Sequence, residues 1–402
     1  MIAIGAALLL LLYAPYRLSR GFSASIRIAI VSIVLIKTVF LIVWHISLVK
    51  ETGLPIILDE SQDEKRYYDF GVAFAEQPLW NITTADLADE RGSTAHLGYF
   101  VANVLAFKLA PDDPMLLLRL FKLMLFHVGL GMVTSLWREQ TTEGRAFAAY
   151  LLLGVLLYQF FYYTFRNLKD DMLLSLFMIV MGAVDRILTP SDHAAVRTSR
   201  ARVWLTWLMI GFVIWIMSTI RFYLGATVVV ALGLHLVTGH RVKWVTRVGL
   251  GGVIAAGMVF LMGTAGGEMA QSHGGAGAMA AAMSNIGGIF KVFVTPLPWQ
   301  YARPVLAVGH TFYLILLIPA LMGFFMRFRR NLDWKLYVVM IVALIVGGLL
   351  GDSGPRKRFV MCPVFVSWIV HAGIRRFEPT EFLPLDEVYD PAGAAPPAPA
   401  AA

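Results

Sequence analysis

Apolar stretches close to bilayer-crossing length recur along almost the whole chain, and this recurrence constrains the fold more than any other feature. They fall at 28–48, 114–137, 146–164, 172–188, 203–220, 222–239, 248–264, 304–326, 334–350 and 359–374. A further apolar segment, MIAIGAALLLLLYAPY, opens the chain. A hydrocarbon core about 30 Å thick is crossed by about 20 helical residues. Inside it every backbone polar group must be satisfied within its own segment, so each stretch is predicted to be helical. The residues are 58% hydrophobic and only 15% charged, with a mean hydropathy of +0.69. A soluble domain carries roughly a quarter charged residues. The expectation is an all-α polytopic membrane protein with about eleven transmembrane helices.

The opening segment has the length of a signal h-region, but it lacks a basic start and a small-residue cleavage site, so it reads as retained. One transmembrane domain is expected over 1–376. The Pro/Ala-rich end, 377–402, is expected to be a disordered cytoplasmic tail, since it cannot bury enough apolar surface to fold. The single cysteine, Cys362, rules out an intramolecular disulfide. The net charge of +8 does not imply nucleic acid, because the basic residues fall in short clusters between spans rather than on one continuous face.

Those clusters orient the chain. Arg17, Arg20 and Arg27, then Arg138 and Arg145, then Arg186, Arg197, Arg200 and Arg202 fall on one side. Arg241, Lys243 and Arg247, then Arg327, Arg329, Arg330 and Lys335, and last Arg375 and Arg376, continue it. The alternation requires that the short apolar piece 97–110 does not cross. It is read as an interfacial or re-entrant helix, closed by the Pro111-Asp112-Asp113-Pro114 turn. With the basic side inside, the opposite face receives 50–113, 165–171, the turn at Arg221, 265–303 and 351–358. The expected location is the inner (plasma) membrane, with the active face extracytoplasmic.

That outer face carries the chemistry. Residues 51–95 hold ten acids against three bases, among them Asp59, Glu60, Asp63, Glu64 and Asp69. The turn FRNLKDD sets Lys169 beside Asp170 and Asp171 at the start of a span. Arg221 joins two spans almost without a loop, and GDSGPRKRF supplies Arg356, Lys357 and Arg358. Charges near hydrocarbon are expensive and so point to function. A carboxylate can take a proton from an acceptor hydroxyl, and Arg or Lys in a dry pocket can stabilise a departing lipid phosphate. Acids and cations on one face therefore fit glycosyl transfer from a lipid carrier.

At these residues the chain resembles the GT-C-fold glycosyltransferases, the polyprenyl-phosphate-sugar-dependent enzymes related to protein mannosyltransferases and aminoarabinose transferases. DEKRYYDFGVAFAE is similar to their acidic first-loop motif, and His96-Leu97-Gly98-Tyr99 to the loop segment before a short helix. Arg119 begins the next helix as an Arg often does there. YTFRNLKDDMLLSLF resembles the second-loop acid, VTPLPWQ an aromatic-proline loop, and GPRKRFVMCPVFVSWIVHAG the closing segment of bacterial members. The likeness spans 28–376, and it is the order of the motifs that makes it.

The resemblance implies that Asp63 is the base, with Asp59, Glu60 and Glu64 as alternatives. Asp63 is preferred because Tyr67, Tyr68 and Phe70 follow at the family's spacing. It implies that Asp170 orients the acceptor or a metal, and that Arg221, Arg356 and Arg358 grip the lipid phosphate. Lys169, Tyr67 and His96 complete the expected substrate-binding set. No resident cofactor is required, although two nearby carboxylates could hold Mg²⁺ or Mn²⁺. The final turn reads Arg-Lys-Arg-Phe where the family has Arg-Tyr-Arg, so which cation meets phosphate stays open. No large soluble domain follows the last span, and acceptor recognition is assigned to the outer loops. The implied partners are a polyprenyl-phosphate-linked sugar, membrane lipids, and a glycan, lipid-linked saccharide or protein as acceptor.

Plainer readings stand beside these. The first-loop acids also suit a solvated outer loop, Asp170 a helix-start acid, and the basic residues lipid headgroups. His45, His127, His235 and His371 have no mutual metal-ligand spacing and read as polar contacts inside the bundle. The Gly/Ala-rich stretch 263–288 reads as a lid or as a plain flexible loop. The alternative functions are an O-antigen-type polymerase or ligase, a lipid-linked saccharide transporter or flippase, and a non-catalytic assembly partner. The polymerase reading expects its long outer loop late in the chain, and the transporter reading expects internal repeats.

Overall fold

The computed structural model describes residues 2–58, 63–82, 86, 96–156, 165–188, 200–238, 286–294, 297–300, 304–328, 334–349 and 360–372. Every regular element among them is helical. The apolar first segment forms α1 (Ile2–Leu18), followed by α2 (Ala24–Thr52), the first-loop helix α3 (Asp63–Phe74) and α4 (Leu97–Leu109). Then come α5 (Pro114–Gln140) and α6 (Glu143–Leu151), the latter running into a π-helical turn at Leu152–Leu156. Next are α7 (Asp170–Leu188), α8 (Arg200–Ile220) and α9 (Phe222–Thr238). The last are α10 (Ile286–Val294), α11 (Pro304–Phe328), α12 (Trp334–Ala343) with a π-helical end at Leu344–Leu349, and α13 (Met361–Ala372).

The expected crossings therefore appear as helices where they fall within the described residues; 157–164 and 248–264 lie outside them, as do most of the expected lid or loop 263–288 and the expected tail 377–402. Among the described residues, α2 and α5 are long and apolar enough to cross a membrane, by length and composition. Shorter apolar helices accompany them, including Ile2–Leu18, Leu97–Leu109 and Met361–His371. The piece 97–110 is a separate helix of 13 residues, about 20 Å long.

α5 is the hub. Asp113 caps its start, accepting from the Leu116 N–H at 3.1 Å, and Pro114 occupies the first helical position, where a missing N–H costs nothing. Its flanks carry α1, α4, α6 and above all α7. Two glycines allow that last contact. A Cβ at Gly129 would stand 2.7 Å from the Ser175 carbonyl oxygen, and one at Gly182 would crowd the backbone of Met132. α7 is buried along nearly its whole length, from Asp170 to Asp185.

α2, by contrast, shows an apolar outer face with Ile36, Val39, Phe40, Val43 and Ile46 exposed. Its buried side holds the polar residues Lys37, Thr38 and His45. At the far end of α7, Asp185 accepts from Trp334 Nε1 at 2.8 Å and Lys335 Nζ at 2.6 Å. Lys335, counted with the inner basic clusters in the sequence, is thus a buried partner that ties α12 to α7.

Candidate functional site

Four segments meet at one end of the bundle: the start of α3, the start of α4, the 165–169 turn with the start of α7, and the α8–α9 joint. Buried cations on α5 build the floor. Arg119 and Lys122 lie one turn apart on one helix face and point at the same turn. Arg119 Nε donates to the Phe165 carbonyl at 2.5 Å, and Nη2 to the Pro55 carbonyl at 2.7 Å. Lys122 Nζ donates to the carbonyls of Arg166 at 2.6 Å and Leu168 at 2.9 Å, and stands 3.2 Å from the Asp171 carboxylate. The 165–169 turn is thus held through its own carbonyls, which as buried acceptors need such donors.

His45 extends this floor toward α2. Arginine can only donate, so Arg119 Nη1, at 2.6 Å, bonds to an unprotonated Nδ1 of His45. Nε2–H is then left to donate to Asp113 at 2.9 Å. This is the polar contact inside the bundle that the sequence assigns to His45.

Above the floor lies α3. Glu64 is 0% exposed and forms an ion pair with Arg166. Its other oxygen accepts from the Ile57 N–H at 3.1 Å. Asn167 donates to Asn103 at 2.9 Å and accepts from the Tyr99 hydroxyl at 2.8 Å, which links the turn to α4. Glu64, one of the acids proposed from sequence as a base, is therefore fully engaged in binding α3 to the turn. Asp63 precedes it by about 100° of helix rotation and is half-buried. It lies close enough to Tyr67 and Lys169 to act on both electrostatically.

The remaining residues form two paired sets. Lys169 Nζ donates to the Tyr67 hydroxyl at 2.6 Å. Arg221 stands 2.9 Å from Asp170 and donates to the Tyr223 hydroxyl at 2.8 Å. Arg221 can serve two helices because its N–H closes α8 on the Met217 carbonyl while its own carbonyl accepts the Leu224 N–H of α9. Arg221 Nε is buried with no hydrogen-bond partner among the described residues, as is Asp171 Oδ2. His96 caps α4 with a φ of 123°, a conformation that a non-glycine residue adopts only under strain. Its Nδ1 lies 3.0 Å from the Ile220 carbonyl, next to Arg221. Gly98 permits this approach, since a Cβ there would collide with the Thr219 hydroxyl.

Electrostatics follow from the crowding. Burial first, then Arg221, draw Lys169 down to about 7, with Asp170 and Asp63 opposing. Burial, then Lys169, hold His96 at about 3. Burial, Asp63 and Asp170 push the Tyr67 phenol above its ordinary range.

Of the residues singled out from sequence, Asp63, Glu64, Tyr67, His96, Lys169, Asp170 and Arg221 are thus brought together. Asp59, Glu60, Arg356 and Arg358 lie outside the described residues. Among the described residues no group of three or more His, Cys, Asp or Glu is arranged to hold a metal ion. Asp170 and Asp171, the adjacent carboxylates, already face Arg221 and Lys122. Sequence reasoning gave no role to Lys122, Arg166, Asn167, Tyr99 or Asn103. The available signal was Arg119 with Lys122, two cations three residues apart in an apolar helix. No protein-family model, curated protein or solved structure matches this chain.

Proposed function

We propose that the chain is a multi-pass glycosyltransferase of the cell envelope that moves a sugar from a polyprenyl-phosphate carrier to an extracytoplasmic glycan, lipid-linked saccharide or protein. The observation that carries the reading is the meeting of Asp63 with Lys169, Asp170 and Arg221, residues from three segments remote in sequence, beside a buried Arg221 Nε–H with no partner among the described residues. The exposed apolar face of α2 supports immersion in lipid, and the positive-inside bias puts this end of the bundle outside.

In this reading Asp63 accepts the proton of the attacking hydroxyl. The hydroxyl oxygen bonds to the anomeric carbon as the bond from that carbon to the carrier phosphate breaks, and the electron pair leaves on the phosphate. Lys169 and Arg221 stabilise the charge that collects there, and they are stronger in a dry site than in water. Asp170 holds Arg221 in position. Glu64, engaged with Arg166, keeps α3 in place. Arg356 and Arg358 are further candidates for the carrier phosphate on the strength of the family resemblance alone.

The decisive experiment is transfer from a panel of polyprenyl-phosphate hexoses and pentoses by the full chain in nanodiscs. Asp63→Asn should abolish transfer while leaving expression and thermal unfolding unchanged. Full activity in that variant removes the base and the reading with it.

A further inference from the structure

His96 presents a hydrogen-bond acceptor beside the cations Lys169 and Arg221. The Ile220 carbonyl can only accept, so the ring nitrogen 3.0 Å from it, Nδ1, carries the proton. In the neutral ring Nε2 then has a lone pair and no proton. The groups that act on this ring from the packed elements are Lys169 and Asp170 at the start of α7, and Arg221 at the α8–α9 joint. Tyr67 from α3 packs against it in a T-shaped arrangement, at 6.5 Å between ring centres. Two of these are cations, which disfavour an imidazolium, and burial acts in the same direction. The backbone beneath is strained at φ 123°, and the ring is half-buried rather than sealed. A lone pair in this place repels phosphate oxygens and attracts a hydroxyl proton.

We propose that His96 Nε2 accepts a hydrogen bond from a saccharide hydroxyl, making His96 the group that reads the sugar beside the cations that read the phosphate. This rests on the glycosyltransfer reading and assigns His96 to the sugar instead of the carrier's charge. The hydroxyl belongs either to the carrier-borne sugar or to the acceptor saccharide.

Two variants separate substrate contact from structure. His96→Asn keeps a side-chain N–H near Nδ1, and so the Ile220 bond, but places nothing at Nε2. His96→Gln keeps an acceptor near Nε2 and gives up the Ile220 bond. His96→Asn should retain wild-type unfolding and lose about tenfold in kcat/KM, the worth of one substrate hydrogen bond, while His96→Gln should lose less. Wild-type kcat/KM in His96→Asn overturns the proposal.

The ¹⁵N signals of His96, assigned by their loss in His96→Asn, provide the second test. They are recorded for the full chain alone, with polyprenyl phosphate, with polyprenyl-phosphate hexoses and pentoses, and with free oligosaccharides. Nε2 should be unprotonated in the free protein. It should respond to the sugar-bearing carriers if the donor sugar is read, or to free saccharide if the acceptor is read. A protonated Nε2 in the free protein, an imidazolium formed with polyprenyl phosphate alone, or no response to any saccharide overturns it. Absence of transfer by the wild type from every donor sinks the glycosyltransfer reading, whereas a saccharide-responsive Nε2 would still leave the hydroxyl site standing.

Discussion

The Arg221 guanidinium stands 2.9 Å from the Asp170 carboxylate and so ties the joint of α8 and α9 to the first residue of α7. With Asp170 nearly buried, the pair holds a cation at the site in one orientation. Replacing Arg221 by Gln should lower kcat/KM for a polyprenyl-phosphate donor by about 10- to 100-fold, the worth of one charge-assisted hydrogen bond to phosphate. Unchanged kinetics in Arg221→Gln would remove Arg221 from the phosphate site.

Glu64 and Asp63 are neighbours with opposite expected phenotypes. Glu64→Gln breaks the buried ion pair between Glu64 and Arg166, and breaking such a pair costs about 3–5 kcal/mol. Thermal unfolding in nanodiscs should shift clearly downward in this variant, while Asp63→Asn should leave it where it was. If Glu64→Gln unfolds like the wild type and loses only transfer, the two roles have been exchanged.

Lys169 sets a pH dependence. Its folded value of about 7 lies below the ordinary 10.5, because burial and Arg221 penalise the charged form. Below about 7 the amine is charged in both folded and unfolded chains, and the penalty is fully present. Between about 7 and 10.5 the unfolded chain still holds the proton and the folded chain does not, so this group's contribution to stability rises with pH. In the proposed function, phosphate binding works in the opposite sense, since it favours the charged amine and takes up a proton. Donor affinity should therefore be highest below about pH 7 and weaken above it, and titrations over pH 6–9 would read this directly. Lys169→Gln should flatten that profile, and an equally steep profile in the variant would assign it to another group.

Gly98 is a packing requirement of the site. Any side chain there meets the Thr219 hydroxyl at the end of α8. Gly98→Ala should cost about 1–3 kcal/mol from overpacking. It should also reduce transfer, because pushing α4 away from α8 separates His96 from the Ile220 carbonyl. A variant with wild-type unfolding and activity would show that α4 and α8 slide apart freely.

The helices were legible because hydropathy is a property of consecutive residues. The span expected at 114–137 is α5, and the turn expected at 111–114 caps it through Asp113 and Pro114. The span expected at 28–48 extends to Ala24–Thr52, because backbone hydrogen bonding continues past the apolar run into Glu51 and Thr52. Charge bias along the chain likewise grouped Asp63, Glu64, Lys169, Asp170 and Arg221, residues that the structure brings together. Composition and order thus determined the helical class and the group of segments that carry the candidate chemistry.

Tertiary structure alone decided what each charge does there. Asp63 and Glu64 have the same chemistry and adjacent positions, yet Asp63 stays half-buried near Lys169 while Glu64 is sealed against Arg166. Helix rotation separates them, and the docking of α3 on the turn chooses which is sealed. Arg119 and Lys122 hold backbone carbonyls more than 40 residues away, a pairing that leaves no trace in local sequence. The strength of such contacts depends on distance and burial across elements remote in the chain, and those quantities exist only once the helices have packed.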